Sequence, residues 1–454
     1  MLSLLKTLLN KKIVVENSSD IEIPVRDYNK AVKNPFFRKK LRDISVAEDE
    51  ENPYYSGILN TYAEHSVGSL PQIMVDLPSP EDCDRVEDSW NTWCIETGVA
   101  TSLRLIRRAA LRTGVGIGIP IKDSNPNNPL GFKLKCVSGE RLRSPGTARL
   151  EDRIVDGVEY DENGEPVRIF LKDESADEPK EYRVEDIIFW WKQRVEEQLP
   201  GIPECGPAFC IFPSVKRIIE AVVKAEEFRS CIPLAVELDP NVYRPADAAT
   251  PAGRFKYEPG FVPTLPPGTK LTGVNTSNIS EDRSALLHSL IAAAARCLQM
   301  PKNLAIADSS NSNMATAAID IQPWSATIKT DRVDFAPVIR KVVRWWHQRA
   351  ILVTGYLPVT ARNKFTYEIN YDMAFEHPDP SKRANARAID LKSGSSTLSK
   401  VYTDQGLNPR KQLDREARTL GITREELNKM IIAQRLGMII ESLVDENTGD
   451  TNED

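Results

Sequence analysis

The residue types that most often carry catalysis or bind metals are few and scattered in this chain of 454 residues. Its four histidines, His65, His288, His347 and His377, stand in none of the common zinc-protease, serine-hydrolase or phosphate-loop patterns. Cys205 and Cys210 form the only close cysteine pair, and no second pair completes a zinc site. The chain is therefore predicted to be no enzyme and to use no cofactor and no metal. Because catalytic groups can be dispersed in sequence, a hydrolase with a dispersed active site stays an alternative.

Two stretches resemble ligand-binding loops but depart from them at a decisive position. "EYDENG" places Glu159 and Asp161 like calcium ligands, but the position that needs a bidentate Glu is Phe170. "GVGIGIP" has Ile119 where a dinucleotide-binding loop needs its third glycine. We predict instead a hairpin in which Asn163 and Gly164 both adopt positive φ, and a strand whose glycines let another element pack closely.

The composition is that of a soluble globular protein, with 41% hydrophobic and 27% charged residues. The net charge is −6, so the surface as a whole is not built to grip nucleic acid. Basic residues are in excess near the start, whereas the last fourteen residues carry six acids and no base, which predicts a solvated tail. No stretch is apolar over the length needed to cross a membrane, and seven irregularly spaced cysteines favour reduced, mostly buried thiols.

Periodicity predicts a mixed α and β chain. Residues 1–50 read as an extended arm, 53–113 as helical with a start at Ser79–Pro80 and a stop at Gly114, and the next 80 or so residues as short strands. A helix opened by Ser214 and an Ala-rich helix over 281–300 flank a Pro-rich stretch.

Further along the chain, a long helix over 316–351 is expected to be broken at Pro323 and Pro337. A short strand pair in "KFTYEINYDMAF" and several C-terminal helices follow. Thr423 and Glu426 form a capping box at the start of the last helix. The tryptophan pairs 190–191 and 345–346, with Trp90 and Trp93, are expected to serve packing.

The segment "CLQMPKNLAIADSSNSNMATAAIDIQPW" places a run of Ser and Asn between two helical stretches. From Pro301 to Ala317 it has one base, Lys302, and one acid, Asp308. Cationic loops would hold a polyanion tightly through phosphate neutralisation, whereas Ser and Asn touch a backbone weakly. The segment would therefore touch a polyanion without gripping it. A surface loop without a partner is the alternative.

The order of these pieces resembles the portal proteins of tailed phages, in particular the lambda-like branch. The pieces that carry the resemblance are "DRIVDGVEYDENGEPVRIFL" (152–171), the helix–loop–helix at 281–349 and "DPSKRANARAIDLKSGSSTLSKVYTDQGLNPRKQLDREARTLG" (379–421). The resemblance covers roughly residues 50–425.

The resemblance implies an α+β portal fold in a ring, usually of twelve subunits, at one vertex of the virion capsid. The implied parts are an N-terminal arm (1–50), a wing in two parts (51–212 and 301–378), stem helices (213–231 and 281–300), a clip (232–280), a crown (379–442) and an acidic tail (443–454). It implies a channel for packaging and ejecting double-stranded DNA. Implied partners are the terminase large subunit, an adaptor or head-completion protein, and the major capsid and scaffold proteins. No membrane is involved, and assembly takes place in the host cytoplasm.

The resemblance also assigns candidate site residues. The tunnel loop at about 303–315, which lines the narrowest part of the channel, gives Lys302, Asn303, Ser309, Ser310, Asn311, Ser312, Asn313 and Met314. The stem gives Lys216, Arg217, Lys224, Arg283 and Arg296. A basic cluster on the long helix is expected to form subunit salt bridges. A neck or scaffold protein outside the portal family is the remaining structural alternative.

Overall fold

The computed structural model describes residues 34–146, 153–173, 178–196, 198–230, 234–238, 269–273, 279–308, 314–363, 365–371 and 380–433. The helices are α1 (Pro35–Glu51), α2 (Pro53–Val67), α3 (Pro80–Thr97), α4 (Val99–Thr113), α5 (Phe212–Ser230), α6 (Ile279–Ala295), α7 (Lys302–Ile306), α8 (Met314–Leu352), α9 (Pro380–Lys392), α10 (Leu398–Asp404), α11 (Pro409–Leu420) and α12 (424–433). The strands are β1 (Gln72–Asp76), β2 (Gly116–Lys122), β3 (Phe132–Val137), β4 (Ile154–Val155), β5 (Val158–Tyr160), β6 (Pro166–Leu171), β7 (Lys180–Arg183), β8 (Ile188–Trp190), β9 (Leu234–Leu238), β10 (Thr269–Gly273) and β11 (Thr366–Asn370).

All the described strand pairs are antiparallel and form four small sheets. The orders are β3-β2-β8, β4-β5-β6-β7, β1-β11 and β9-β10. The mixture of helices and separate antiparallel sheets is the α+β class that the sequence predicts.

Helix α4 packs directly on the glycines of strand β2, as the sequence predicts. A Cβ on Gly116 would lie 2.6 Å from the carbonyl oxygen of Ile106, and one on Gly118 would lie 2.6 Å from Cδ1 of the same residue. Glycine is the residue that allows a helix backbone to approach a strand this closely. The close approach fixes the position of α4, and Gly114, in the left-handed conformation, ends that helix where predicted.

The larger apolar core forms between α3, α4, the β3-β2-β8 sheet and the C-terminal half of α8. Trp90 and Trp346 are both fully buried there and meet edge to face with ring centroids 5.4 Å apart. Trp93 is buried beside them, while Trp190 and Trp345 are partly buried against the same core. The prediction that these tryptophans serve packing is confirmed.

A second core joins α1, α2, α5, α6, α7 and the N-terminal part of α8. Tyr55 of α2 packs against Phe212 at the start of α5, and Trp324 of α8 packs against Tyr62. Helices α5 and α6 therefore begin and end in the body of the protein. The β9-β10 pair lies between them in sequence.

The 152–171 segment contains two turns instead of the single predicted one. The predicted β5-β6 hairpin is present, and Gly164 has φ 83°, but Asn163 does not adopt positive φ. Instead, Oδ1 of Asp161 accepts the amide protons of Asn163 and Glu165, both at 2.8 Å. The first turn, at Asp156 and Gly157 with φ 54° and 77°, joins β4 to β5 and divides a run that we expected to be one strand.

Three predictions about elements are wrong. Residues 35–50 are helical instead of extended, because α1 buries one face that includes Leu41. The region 53–113 is not all helical, since β1 interrupts it. Helix α5 begins at Phe212, so Ser214 lies inside it. Of the strand pair expected in 364–375, one strand is β11, which pairs with β1, and residues 372–375 lie outside the described residues.

The long helix α8 continues through both of its prolines. Pro323 and Pro337 lie inside an uninterrupted helix of 39 residues, which corrects the predicted breaks. The buried residues Trp324, Phe335 and Val338 stand beside the prolines. Their packing stabilises the helix where each proline removes a backbone donor. At the C-terminal end of the described chain, Thr423 and Glu426 form the predicted capping box, with Thr423 N donating to Glu426 at 2.8 Å.

Candidate functional site

The candidate site begins with the two helices that the resemblance assigns to a stem. Helices α5 and α6 pack against each other, and Val215 and Ile291 are fully buried at their body ends. Farther along, each helix exposes a large apolar side chain, Val223 on α5 and Leu286 on α6, each 51% exposed. The pair is therefore anchored at one end and leaves apolar surface uncovered along its length.

The predicted stem cations lie on these two helices without forming a shared site. Lys216 pairs with Glu51 of α1. Arg217 donates within its own helix, to the Pro213 carbonyl at 3.2 Å and to Ser214 Oγ at 3.3 Å. Lys224 and Arg296, which follows α6, are exposed. Arg283 lies on α6, and its side chain is outside the described residues.

The predicted tunnel loop is shorter than expected, because its first residues are helical. Lys302 and Asn303 open helix α7, in which Ala305 is buried and Leu304 and Ile306 pack on the second core. Ala307 adopts the left-handed conformation, with φ 58°, and ends the helix. The residues at 303–306 therefore form a short helix packed on the second core, and not the loop that the sequence predicted.

The remaining part of the candidate site connects α7 to α8. Met314 is the first residue of α8. The uncharged residues between the two helices, Ser309, Ser310, Asn311, Ser312 and Asn313, lie outside the described residues.

The middle of α8 is fixed by a buried carboxylate, Asp331, that sequence reasoning missed. Its two oxygens accept from Ser66 Oγ at 2.6 Å, from Lys192 Nζ at 2.7 Å, and from Nε and Nη2 of Arg107 at 2.8 and 2.9 Å. Burial alone would raise the pKa of Asp331, but the adjacent charges of Arg107 and Lys192 outweigh it and hold the pKa well below its usual value. Asp331 is therefore ionised and tied to α2, to α4 and to Lys192, the second residue after β8.

Arg107 completes this cluster, which we call the Asp331 hub: Ser66, Arg107, Lys192, Glu204 and Asp331. Its Nη1 and Nη2 donate to Glu204 at 2.6 and 3.2 Å. The guanidinium also lies 4.9 Å from the ring centre of Tyr62 and 5.0 Å from that of Trp190. Two acids balance two bases, so the hub is a neutral buried network whose hydrogen bonds compensate for its lost hydration.

Comparison with known proteins decides the family. The family described as phage portal protein, lambda family, matches residues 17–330. The chain belongs to this family. The match runs from before α1 into α8 and includes both stem helices and the segment between α7 and α8.

Comparison with solved structures also returned chains from gene transfer agent particles. A chain from the "neck of empty GTA particle computed with C6 symmetry" has a TM-score of 0.46 and 14% identity, covering 80% of this chain and 94% of that one. A chain from the "virion of native gene transfer agent (GTA) particle" has a TM-score of 0.44 and 14% identity, with 81% and 93% covered. No curated protein matches the sequence.

Portal proteins are structural components of virions, so family membership confirms the prediction that this chain is not an enzyme. In the described part of this portal-family chain, no group of three or more His, Cys, Asp or Glu residues could hold a metal ion. His347 contacts the Ala361 carbonyl at 2.8 Å, and burial lowers the pKa of His65. Among the described helices, none is long and apolar enough to cross a bilayer.

The basic residues predicted to cluster on α8 fall into two groups, two that contact the body and four that are exposed. Arg332 donates to the backbone carbonyls of His65 and Ser66, and Lys341 donates to that of Val184 at 2.7 Å. These two cations therefore stabilise the portal-family body itself. The other members, Lys329, Arg340, Arg344 and Arg349, are exposed on α8.

One sequence signal could have revealed the Asp331 hub. The buried residues on one face of α8 include Trp324, Ile328, Phe335, Val338 and Val342, which follow one another at steps of four, seven, three and four residues. Asp331 stands on that face at the position where an apolar residue is expected. An acid on a buried stripe needs a basic partner, but nothing in the sequence tells which of the 59 Lys and Arg residues supplies it.

Proposed function

We propose that this portal-family chain assembles into a closed ring of twelve copies at one capsid vertex, and that double-stranded DNA passes through the centre of the ring during packaging and ejection. The observation that carries the proposal is the family match over residues 17–330. Repetition of one heterologous interface that closes on itself gives cyclic symmetry.

In this proposal the parts of the chain divide the work. The stem, 213–231 and 281–300, surrounds the channel, and the apolar side chains Val223 and Leu286 support it, because a neighbouring copy would cover them. The clip, 232–280, faces outward from the head and docks the terminase large subunit and the head-completion protein. The wing, 51–212 and 301–378, contacts the major capsid and scaffold proteins. The crown, 379–442, lies inside the head, and residues 1–50 and 443–454 form the terminal segments.

The segment Ser309–Asn313 is the proposed contact with DNA. It is uncharged, and Asp308 beside it carries the sign of the phosphates. DNA would therefore contact hydroxyl and amide groups, which readily exchange these contacts for contacts with water. Because no cation in the segment neutralises a phosphate, no counterions are released and the DNA is not held tightly. Lys302 is the first residue of α7, so this helix separates it in sequence from Ser309–Asn313.

Native mass spectrometry tests the ring. The expected species has a mass of about 600 kDa for twelve copies of a 50.9 kDa chain. Observation of monomer alone at micromolar concentration, across a range of salt, would contradict the ring and with it the portal function.

Packaging assays test the channel segment. Replacing Asn311 and Asn313 by Lys adds about two dozen positive charges to a twelve-subunit channel, which should slow DNA translocation and make it strongly salt-dependent. Deleting Ser309–Asn313 should impair packaging or retention while ring assembly persists. The matched control changes both Asn residues to Gln and should package like the parent. If the Lys variant and the deletion both package like the parent, the segment does not touch moving DNA.

Purified protein should show no ATPase, nuclease or protease activity. ATP turnover that persists through purification and is lost on a point mutation in this chain would favour the hydrolase alternative. No feature of the described residues favours that alternative or a scaffold outside the portal family.

A further inference from the structure

An open groove of about 950 Å³ lies on the body, and no residue of α5 or α6 lines it. The first turns of α1, the turn at 139–144, strand β4 and Lys172 line it. We propose that this groove binds an extended, acidic peptide segment of a partner protein that carries at least one apolar side chain. The proposal concerns a surface shared by α1 and the 51–212 part of the wing, and it does not depend on the channel.

Three cations at the groove have no acidic partner among the described residues. The side chains of Lys39, Arg143 and Lys172 are exposed, and none of the three forms an ion pair with another residue that the structure describes. Arg141, between them, is used differently: it donates to the Lys172 carbonyl at 2.8 Å and pairs with Asp173 at 3.3 Å. The groove therefore presents positive charge that the fold itself does not neutralise.

The wall behind the groove adds to this positive charge. Asp156, which lines the groove, accepts from both Nη atoms of Arg42, at 2.5 and 2.9 Å. The same carboxylate lies 3.8 Å from Nε of Arg38, a fully buried side chain whose three nitrogens have no hydrogen-bond acceptor. Two guanidinium groups thus share one carboxylate. A second acid arriving in the groove would reduce the electrostatic cost of this arrangement.

The rest of the lining favours a peptide over a polyphosphate. Phe36 is 83% exposed at the groove, and Pro35, Ile154 and Val155 also line it. These residues offer apolar contact that a sugar–phosphate backbone cannot use. Asp43 also lines the groove and is exposed, so it could accept a backbone N–H of a peptide, a donor that a sugar–phosphate backbone lacks.

Strand β4 supplies a further feature that suits an extended chain. It is the outermost strand of the β4-β5-β6-β7 sheet, and no described strand pairs with its other edge. An unpaired edge offers backbone donors and acceptors to an added strand. Ile154 and Val155 lie both on this edge and on the groove. Backbone pairing, salt bridges and one apolar contact would then act together on a single peptide.

The test uses a fluorescein-labelled twelve-residue peptide that alternates Glu with Val, added to the full-length protein and followed by fluorescence anisotropy. A peptide with Lys in place of Glu and a twelve-nucleotide single strand of thymidylate serve as comparison probes. The acidic peptide should bind most tightly, the Lys peptide should not bind, and raising the salt should weaken the binding.

Matched double variants locate the binding. Arg143→Gln with Lys172→Gln should weaken peptide binding about tenfold, given the usual strength of exposed ion pairs. Phe36→Ser should weaken it about fivefold through lost apolar contact. The control, Lys122→Gln with Lys135→Gln, removes two exposed cations that do not line the groove and should leave binding unchanged. All five side chains are exposed, so the variants should fold like the parent.

Three outcomes would overturn the proposal. In the first, the acidic peptide does not bind the parent protein. In the second, the groove variant and the control variant weaken peptide binding equally. In the third, the oligonucleotide binds more tightly than the peptide, and the groove variants weaken the binding of the oligonucleotide. The last result would assign the groove to nucleic acid instead.

Discussion

Helix α8 and the C-terminal helices are both held to the body by an acid that accepts hydrogen bonds from arginine, yet the two attachments differ in burial. At the Asp331 hub, Asp331 and Arg107 are fully buried. At the C-terminal attachment, Glu87 of α3 accepts from Asn408 and Arg410, and the Arg410 side chain is 28% exposed. The same type of interaction, an acid accepting hydrogen bonds from an arginine, is therefore shielded from water at the Asp331 hub and partly exposed to water at the C-terminal attachment.

The apolar packing around the two attachments differs in the same way, since it is more extensive around Asp331 than in the C-terminal helices. Fully buried Trp324, Ile328 and Phe335 stand around Asp331 on α8. In the described C-terminal helices, by contrast, the buried hydrophobic residues are Ala417 and Leu427. The comparison teaches that α8 is part of the body, whereas α10 and α11 are docked on it by a few polar contacts, and that the two should respond to separate perturbations.

The largest effect is expected from removing the buried acid. Asp331→Ala leaves Arg107 and Lys192 facing each other without their shared partner, so the free energy of unfolding should fall by about 3–5 kcal/mol. Denaturant unfolding followed by tryptophan fluorescence measures this change. The control is Asp334→Ala, three residues along the same helix, where the side chain is 43% exposed and pairs with Lys192 at 3.4 Å; loss of this exposed pair should lower the free energy of unfolding by less than about 1 kcal/mol. Equal effects of the two variants would contradict a special role for the hub.

The second effect tests the hub by displacing α4, the helix that carries Arg107, from strand β2. Gly116→Ala forces a methyl group against the Ile106 carbonyl oxygen, next to Arg107 on α4, and should cost about 2–3 kcal/mol of stability. Gly206→Ala, where nothing lies within 4 Å of the new Cβ, is the matched control and should be near neutral. A crystal structure of the first variant should show α4 displaced from β2. An undisturbed α4 would refute the account.

The third effect separates the two acids by pH. The pKa of Asp331 is lowered, so its stabilisation is present above its unfolded value near 3.8 and is lost as pH falls below it. Burial instead raises the pKa of Glu87, so its ionised form costs stability above the folded pKa, and that cost is relieved as pH falls. Acidification from pH 7 to 4 should therefore leave the C-terminal attachment intact, and the body should weaken only below about pH 4.

Hydrogen exchange at each pH measures both attachments. Asp331→Asn should flatten the loss of body stability below pH 4, and Glu87→Gln should remove the opposite slope at the C-terminal helices. Release of residues 398–420 between pH 6 and 5, with the body unchanged, would show that the sign assigned to Glu87 is wrong.

A smaller effect should follow from weakening the C-terminal attachment alone. Arg410→Gln removes the contacts to Glu87 and to the Val75 carbonyl and should loosen residues 398–420 by about 1 kcal/mol. Amide exchange in α10 and α11 reports the change, while unfolding of the body should not move. Arg415→Gln, on an exposed face of α11, is the control. Loss of body stability in Arg410→Gln would show that the two attachments are one cooperative unit.

The smallest effect is expected at the surface pair between Lys216 and Glu51. Both side chains are largely exposed, so Lys216→Gln should produce no measurable change in melting temperature. A clear loss of stability would mean that the body end of α5 is held more by charge than by the apolar contacts around Phe212.

Much of the local structure was predictable because its causes lie close together in sequence. Gly98 and Gly114 end helices α3 and α4, the Thr423 capping box starts α12, and the glycines of β2 reveal a close approach. Each of these depends on residues within a few positions of one another. The order of the pieces was enough to identify the portal family.

The rest depends on contacts between distant parts of the chain. Helix α1 was missed because its buried face includes Arg38 and Arg42, whose charge hides the helical periodicity. The Asp331 hub draws on five separate segments, so no local pattern marks it. The continuous course of α8 was missed because tertiary packing outweighs the local cost of Pro323 and Pro337.

The pairing of β1 with β11 has a consequence for synthesis of the chain. Each residue of β1 pairs with a residue 290–298 positions later in the chain, from Gln72 with Asn370 to Asp76 with Thr366. At ribosomal rates of roughly 5–20 residues per second, β1 waits about 15–60 s for the strand that completes its sheet. During that interval Ile73 and Val75, both buried in the finished protein, lack their final cover. The nascent chain should therefore depend on a chaperone until residue 370 has left the ribosome.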